Sequence, residues 1–138
     1  MISKTGINAA LALALMARLA PGEYAGAAHI AREIGAPQNY LGKLLKMLAG
    51  QGLVESQKGF GGGFRLARSP KKISLYDVVE PIDRVSRWGD CFLGRKRCRD
   101  DSPCAVHHRW AVIRRSYLEF LNETTIEDLA DKKVTLPS

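Results

Sequence analysis

Four side chains able to hold a metal or carry redox chemistry lie between positions 91 and 107. They are Cys91, Cys98, Cys104 and His107, in the order C-x6-C-x5-C-x2-H, and they include all three cysteines of the chain. An odd cysteine count argues against a closed disulfide framework. A reducing compartment suits free thiolates or a metal site better. Arg95, Lys96, Arg97 and Arg99 surround the loop and favour the thiolate form. Structural zinc usually shows tight C-x2-C pairs. Thiolates at wider spacing with one imidazole suit an iron–sulfur cluster, where His replaces Cys and raises the potential. Zinc and bare redox thiols remain open on spacing alone. Cys104 and His107 stand three apart at the start of a predicted helix, so they are expected on one face. At about 100° per residue, that face is expected to lie away from the Val106–Trp110–Ile113–Tyr117 stripe.

Several elements must position this group. Ser102-Pro103 opens a long helix, predicted over 103–122. Val106, Trp110, Ile113, Tyr117, Phe120 and Leu121 recur in it at spacings of three and four. They are expected to form one broad apolar face that buries against something large. Thr124 and Glu127 read as a capping box for a final short helix. Upstream, periodicity and Gly/Pro stops predict helices over 4–20, 26–35 and 37–52. The last two are joined by a very short turn, the helix-turn-helix pattern. Leu53-Val54 and Phe64–Leu66 read as two short strands around a glycine-rich tip, which makes a wing. "ISLYDVVEPID" resumes helix, with Ser74 as cap and Asp77 three residues on.

The charge points to an anionic partner. The net charge is +7, and residues 1–72 hold ten Lys/Arg against three Asp/Glu, whereas residues 73–138 hold eleven of each. Nucleic acid is the expected partner for the basic half. The second helix of a helix-turn-helix lies in the major groove and reads bases near its N-terminus. Here Gln38, Asn39 and Tyr40 fall there, with Lys43 and Lys46 placed for phosphates. In the wing, Lys58, Gly61, Gly62, Gly63, Arg65 and Arg68 could set backbone amides and cations on a phosphate or in a minor groove. The longest apolar run, "INAALALALMARLA", is interrupted by Asn8 and Arg18. No membrane partner is expected, and the expected location is the cytoplasm. There is no flavin or nucleotide fingerprint and no triad pattern, so no enzymatic activity is expected.

The chain resembles the iron–sulfur winged-helix repressors of the IscR/NsrR type. The resemblance is carried by "SKTG", "NYLGKLLKMLAGQGLVESQKGFGGGF", "ISLYDVVEPID", the three-cysteine loop and "FLNETTIEDL". It implies a mainly α fold with a small β-wing. It further implies a winged helix-turn-helix over 1–80, a cluster-binding loop over 81–102, and a dimerisation helix with tail over 103–138. It implies a homodimer on a double-stranded DNA operator. It also implies a [2Fe-2S] or [4Fe-4S] cluster, the former preferred, whose state sets DNA affinity. Cys91, Cys98 and Cys104 match the family's cysteine ligands. His107 matches the histidine ligand of the iron–sulfur-assembly regulators, with His108 ranked second. The nitric-oxide-sensing branch takes a carboxylate from near the start of the first helix, where this chain has Asn8.

Overall fold

The computed structural model describes residues 2–89 and 106–131, so Cys91, Cys98 and Cys104 lie outside the described residues. Helix α1 (Lys4–Met16) begins where Ser3 Oγ accepts the Gly6 N–H at 3.1 Å. Its buried residues run around most of its circumference, which is the mark of a central helix. It ends before the predicted residue 20. Arg18 and Leu19 donate to Leu15 and Met16, three residues back rather than four, so the last turn tightens and leaves the helix. Helix α2 (Ala27–Ile34) stops at Gly35, whose φ of 72° is the left-handed cap that glycine adopts without strain. Helix α3 (Gln38–Gly50) follows Pro37, completing the expected helix-turn-helix.

Strands β1 (Val54–Gln57) and β2 (Gly63–Leu66) pair antiparallel, with Val54 opposite Leu66 and Gln57 opposite Gly63. A short 3₁₀ turn (Pro70–Lys72) leads into α4 (Leu75–Asp83). Its cap is the predicted one: Ser74 Oγ accepts from Asp77 N–H at 3.1 Å and Asp77 Oδ2 from Ser74 N–H at 3.0 Å. Replacing Ser74 by Ala is expected to lower stability by about 1 kcal/mol. Chemical denaturation measures this, and an unchanged midpoint would mean the box is not formed in solution.

Helix α5 (His107–Glu123) begins later than the predicted residue 103. Val106 is its cap and His107 its first residue; Cys104, expected to share a helix face with His107, lies outside the described residues. Helix α6 (Ile126–Ala130) is capped by Thr125 and Asp128, not Thr124 and Glu127. Both pairs satisfy the same pattern, and a tertiary contact selects the register. Leu75 donates to Thr124 O at 2.8 Å and Ile126 to Ile73 O at 2.9 Å, which holds Thr125 extended beside Ser74.

Helix α1 touches α2, α3, β2, α4 and α6. One core therefore joins the helix-turn-helix leucines Leu41, Leu44, Leu45 and Leu48 to Val78 of α4, Leu121 of α5 and Ile126 of α6. Helices α5 and α6 thus pack into the same core as the elements of residues 2–80. Among the described residues, no helix is long and apolar enough to cross a membrane.

Candidate functional site

Helix α3 divides cleanly. Leu41, Leu44, Leu45 and Leu48 are buried, which turns Gln38, Asn39, Lys43 and Lys46 outward, and all four are exposed. These four, with Ala27 and Gly42, line an open recess of about 370 Å³. Ala27 and Gly42 were not singled out from sequence. Their small size keeps the recess open, and a Cβ added at Gly42 would meet nothing within 4 Å. Tyr40 does not face the recess in the same way. It is half-buried, and its hydroxyl donates to Thr5 Oγ1 at 2.7 Å, fastening α3 to the first turn of α1.

The wing is rooted beside this recess. Ala25 and Phe64 exchange backbone hydrogen bonds at 2.9 and 2.8 Å, one residue before the cap of α2. Gly63, with φ of 138°, lies against the Ala25–Gly26 backbone so closely that any Cβ would collide with it. Gly62 is likewise pressed on the Gln57 carbonyl. Two of the three consecutive glycines thus serve close backbone approach, while Gly61 serves the tip. Lys58 and Arg68 are exposed. Arg65 is engaged within the wing: it hydrogen-bonds the Glu55 carboxylate across the strand pair, and its guanidinium lies 4.6 Å from the Tyr24 ring centroid. The Glu55 hydrogen bond raises the Arg65 pKa further above its ordinary value.

Helix α5 corrects the expectation of a single apolar stripe. With about 100° per residue, Tyr117, Trp110, Leu121, Arg114 and His107 fall within an arc of about 80°. This arc faces the chain's own core. His107 is 2% exposed and Leu121 1%, while Trp110, Arg114 and Tyr117 are half-buried. Leu121 is therefore covered by its own chain and is not available to a partner. Burial, and then the Asp83 carboxylate, push the Tyr117 phenol above its usual range. Ile113 and Phe120 lie beyond this arc and are 60% and 52% exposed, together with Val112, which was not singled out from sequence. Val106, the cap residue, is half-buried. His107 thus heads the inward face, contrary to the reading that separated it from the Trp110–Tyr117 stripe. His108 is exposed, its ring edge-on to His107 with centroids 5.1 Å apart. Among the described residues, no three His, Cys, Asp or Glu side chains gather as a metal site.

Comparison with known proteins accords with this architecture. The chain is 31% identical to the transcriptional regulator IscR of Pectobacterium carotovorum over 109 residues, 79% of this chain and 66% of that protein. It is 31% identical to the regulator NsrR of Bacillus subtilis over 122 residues, 88% of this chain and 84% of the relative. The first curated relatives are longer, and the matched part spans 63% to 66% of their lengths. Among solved structures, CymR, the global cysteine regulator of B. subtilis, superposes with a TM-score of 0.80 at 26% identity, covering 95% of this chain and 96% of that one. The IscR of T. potens superposes at 0.76 with 21% identity, over 100% of this chain and 93% of that one. The winged helix-turn-helix, the α5–α6 return to its core and a match over residues 2–132 together establish that the chain belongs to the Rrf2 family, the iron-dependent transcriptional regulators.

Proposed function

We propose that the chain is a homodimeric transcription regulator, a repressor, that binds a double-stranded DNA operator and whose hold on DNA is set by an iron–sulfur cluster, [2Fe-2S] in preference to [4Fe-4S]. The observation that carries the reading is the junction at the start of α2. There the exposed Gln38, Asn39, Lys43 and Lys46 and the root of the wing meet on one side. Gln38 and Asn39 suit adenine edges, while Lys43 and Lys46 anchor phosphates. The wing, with Lys58 and Arg68, flanks the same duplex. A second copy covers Val112, Ile113 and Phe120 on the outer side of α5, beside an apolar groove of about 210 Å³ that includes Ile7 and Leu11. Two such reading heads address half-sites about 34 Å apart.

Cys91, Cys98, Cys104 and His107 are the proposed cluster ligands. Two features of the described residues suit that group. The His107 imidazole is buried at the head of α5, whereas His108 is exposed. On the same inward arc, Arg114 Nη1 is buried and has no hydrogen-bond partner among the described residues. A buried donor without an acceptor is costly, and cluster sulfurs accept hydrogen bonds. A bound cluster supplies chemistry sensitive to redox state, iron–sulfur supply and nitric oxide. The chain supplies the coupling: α5 packs on α4, α4 on α1, and α1 on α3. A shift at the head of α5 is thereby passed to the reading face.

Purification without oxygen should give a coloured protein with iron and acid-labile sulfide in matching amounts. Cys98→Ala should abolish colour and sulfide while the chain stays folded, and His107→Ala should alter the spectrum more than His108→Ala. Zinc without sulfide would sink the cluster. A second reading, a cluster-free regulator acting through its thiols, draws support from the likeness to the cysteine regulator CymR. It predicts no iron in the same preparation, with DNA binding changed by thiol oxidants alone.

A further inference from the structure

Phe60, at the tip of the wing, is fully exposed. A single exposed apolar residue is ordinary, but a hydrogen-bonded turn sets the position of this one. Gly62 N–H donates to Gly59 O at 3.0 Å and closes a four-residue turn. Phe60 occupies its second position and Gly61, with φ of 76°, its third, which is the type II arrangement. The second position is the outer corner, so the ring projects away from the hairpin. The hairpin itself cannot swing freely. Gly62 is seated on Gln57, Gly63 on Ala25–Gly26, and Phe64 is bonded to Ala25 on both sides.

The surroundings indicate what the ring meets. Lys58, Arg68, Lys71 and Lys72 are exposed around the wing, and the acidic Glu55 is paired with Arg65. An apolar tip on a cationic hairpin suits the minor groove, where inserted side chains part neighbouring base pairs. The wing root also shares the start of α2 with the α3 recess, so both address one partner.

We propose that Phe60 is a minor-groove wedge. Its ring enters one base step flanking the site read by α3 and partly unstacks it. Flexible pyrimidine–purine steps yield most easily, so this chain selects such a step without a hydrogen bond to either base. The inference rests on the DNA-binding reading above.

The probe is a duplex of about 40 base pairs recovered by in vitro selection with the wild-type protein, with 2-aminopurine placed at successive steps. Wild-type binding should raise fluorescence at one step in each half-site. Phe60→Ala should lose that rise and about tenfold or more in affinity, with the salt dependence unchanged because no charge is removed. Phe60→Leu, still an apolar wedge, should keep most of both. A thermal melt establishes that the variants fold. Binding of Phe60→Ala within about twofold of wild type overturns the inference. So does wild-type binding with no fluorescence change at any step. Phe60-dependent binding to phosphatidylserine vesicles, with DNA binding unaffected, overturns it in favour of a membrane contact. If the wild type selects no duplex at all, the DNA-binding reading falls and takes the wedge with it. A duplex that responds to Lys43→Ala but not to Phe60→Ala sinks the wedge alone.

Discussion

Raising monovalent salt from 50 to 200 mM should weaken binding to the selected duplex by about 10³–10⁵-fold. The reason is counterion release. Each phosphate neutralised by a Lys or Arg frees condensed cations, so affinity falls steeply as bulk salt rises. The first 72 residues carry ten Lys/Arg and three Asp/Glu, and a dimer presents that excess twice. With about 6–10 phosphates neutralised per dimer, the slope of log affinity against log salt is large and negative. On the proposed reading, some cations anchor phosphates and others are engaged within the chain. Lys43 is exposed beside the α3 recess. Lys43→Ala should weaken binding on all sequences alike and make the slope shallower by about 1 for each phosphate left without its cation. Arg65 is held by Glu55 and Tyr24, so Arg65→Ala should change the slope less than Lys43→Ala does. Titrations at four or five salt concentrations measure both. A nearly flat salt dependence would remove the phosphate anchors from the proposal.

Leu45→Ala should destabilise the chain by about 2–5 kcal/mol. Leu45 is 0% exposed and sits in the α3 row that faces the core. Truncation removes buried methyl groups and leaves a cavity that the surrounding helices only partly fill. A domain of ordinary stability has about 5–15 kcal/mol in total, so the loss is a large share of it. The urea midpoint should fall by about 1–2 M at fixed protein concentration. Phe60→Ala, at a site that touches no core, should stay within about 0.5 kcal/mol of the parent. A silent Leu45→Ala would mean that α3 is not anchored through this row, and the outward placement of Lys43 and Lys46 would lose its cause.

Much of this protein is legible in its residues alone. Helices α2, α3 and α4 follow from apolar spacing, from Pro37 and Gly35 at their ends, and from the Ser74–Asp77 box. All of these are preferences expressed within a few residues of chain. The wing follows from its glycines, and the family from motifs spread along the sequence. The tip of the wing reads as glycines and cations, and Phe60 passes unnoticed among them. An exposed aromatic carries no periodic signal; only the type II turn around it shows that it is held outward.

What remained hidden in the sequence depends on elements that arrive from far along the chain. The α5 residues at spacings of three and four looked like one face, yet Leu121 is claimed by its own core while Ile113 and Phe120 are left outside. The Thr124/Thr125 ambiguity at α6 was decided by a bridge to Ser74. Tyr40 and Arg65 are placed by sequence among the residues expected to meet DNA, and only the structure shows that Thr5, Glu55 and Tyr24 engage them. Backbone preference is local and is written residue by residue. Burial is not, because whether a side chain is covered depends on which distant segment folds back over it.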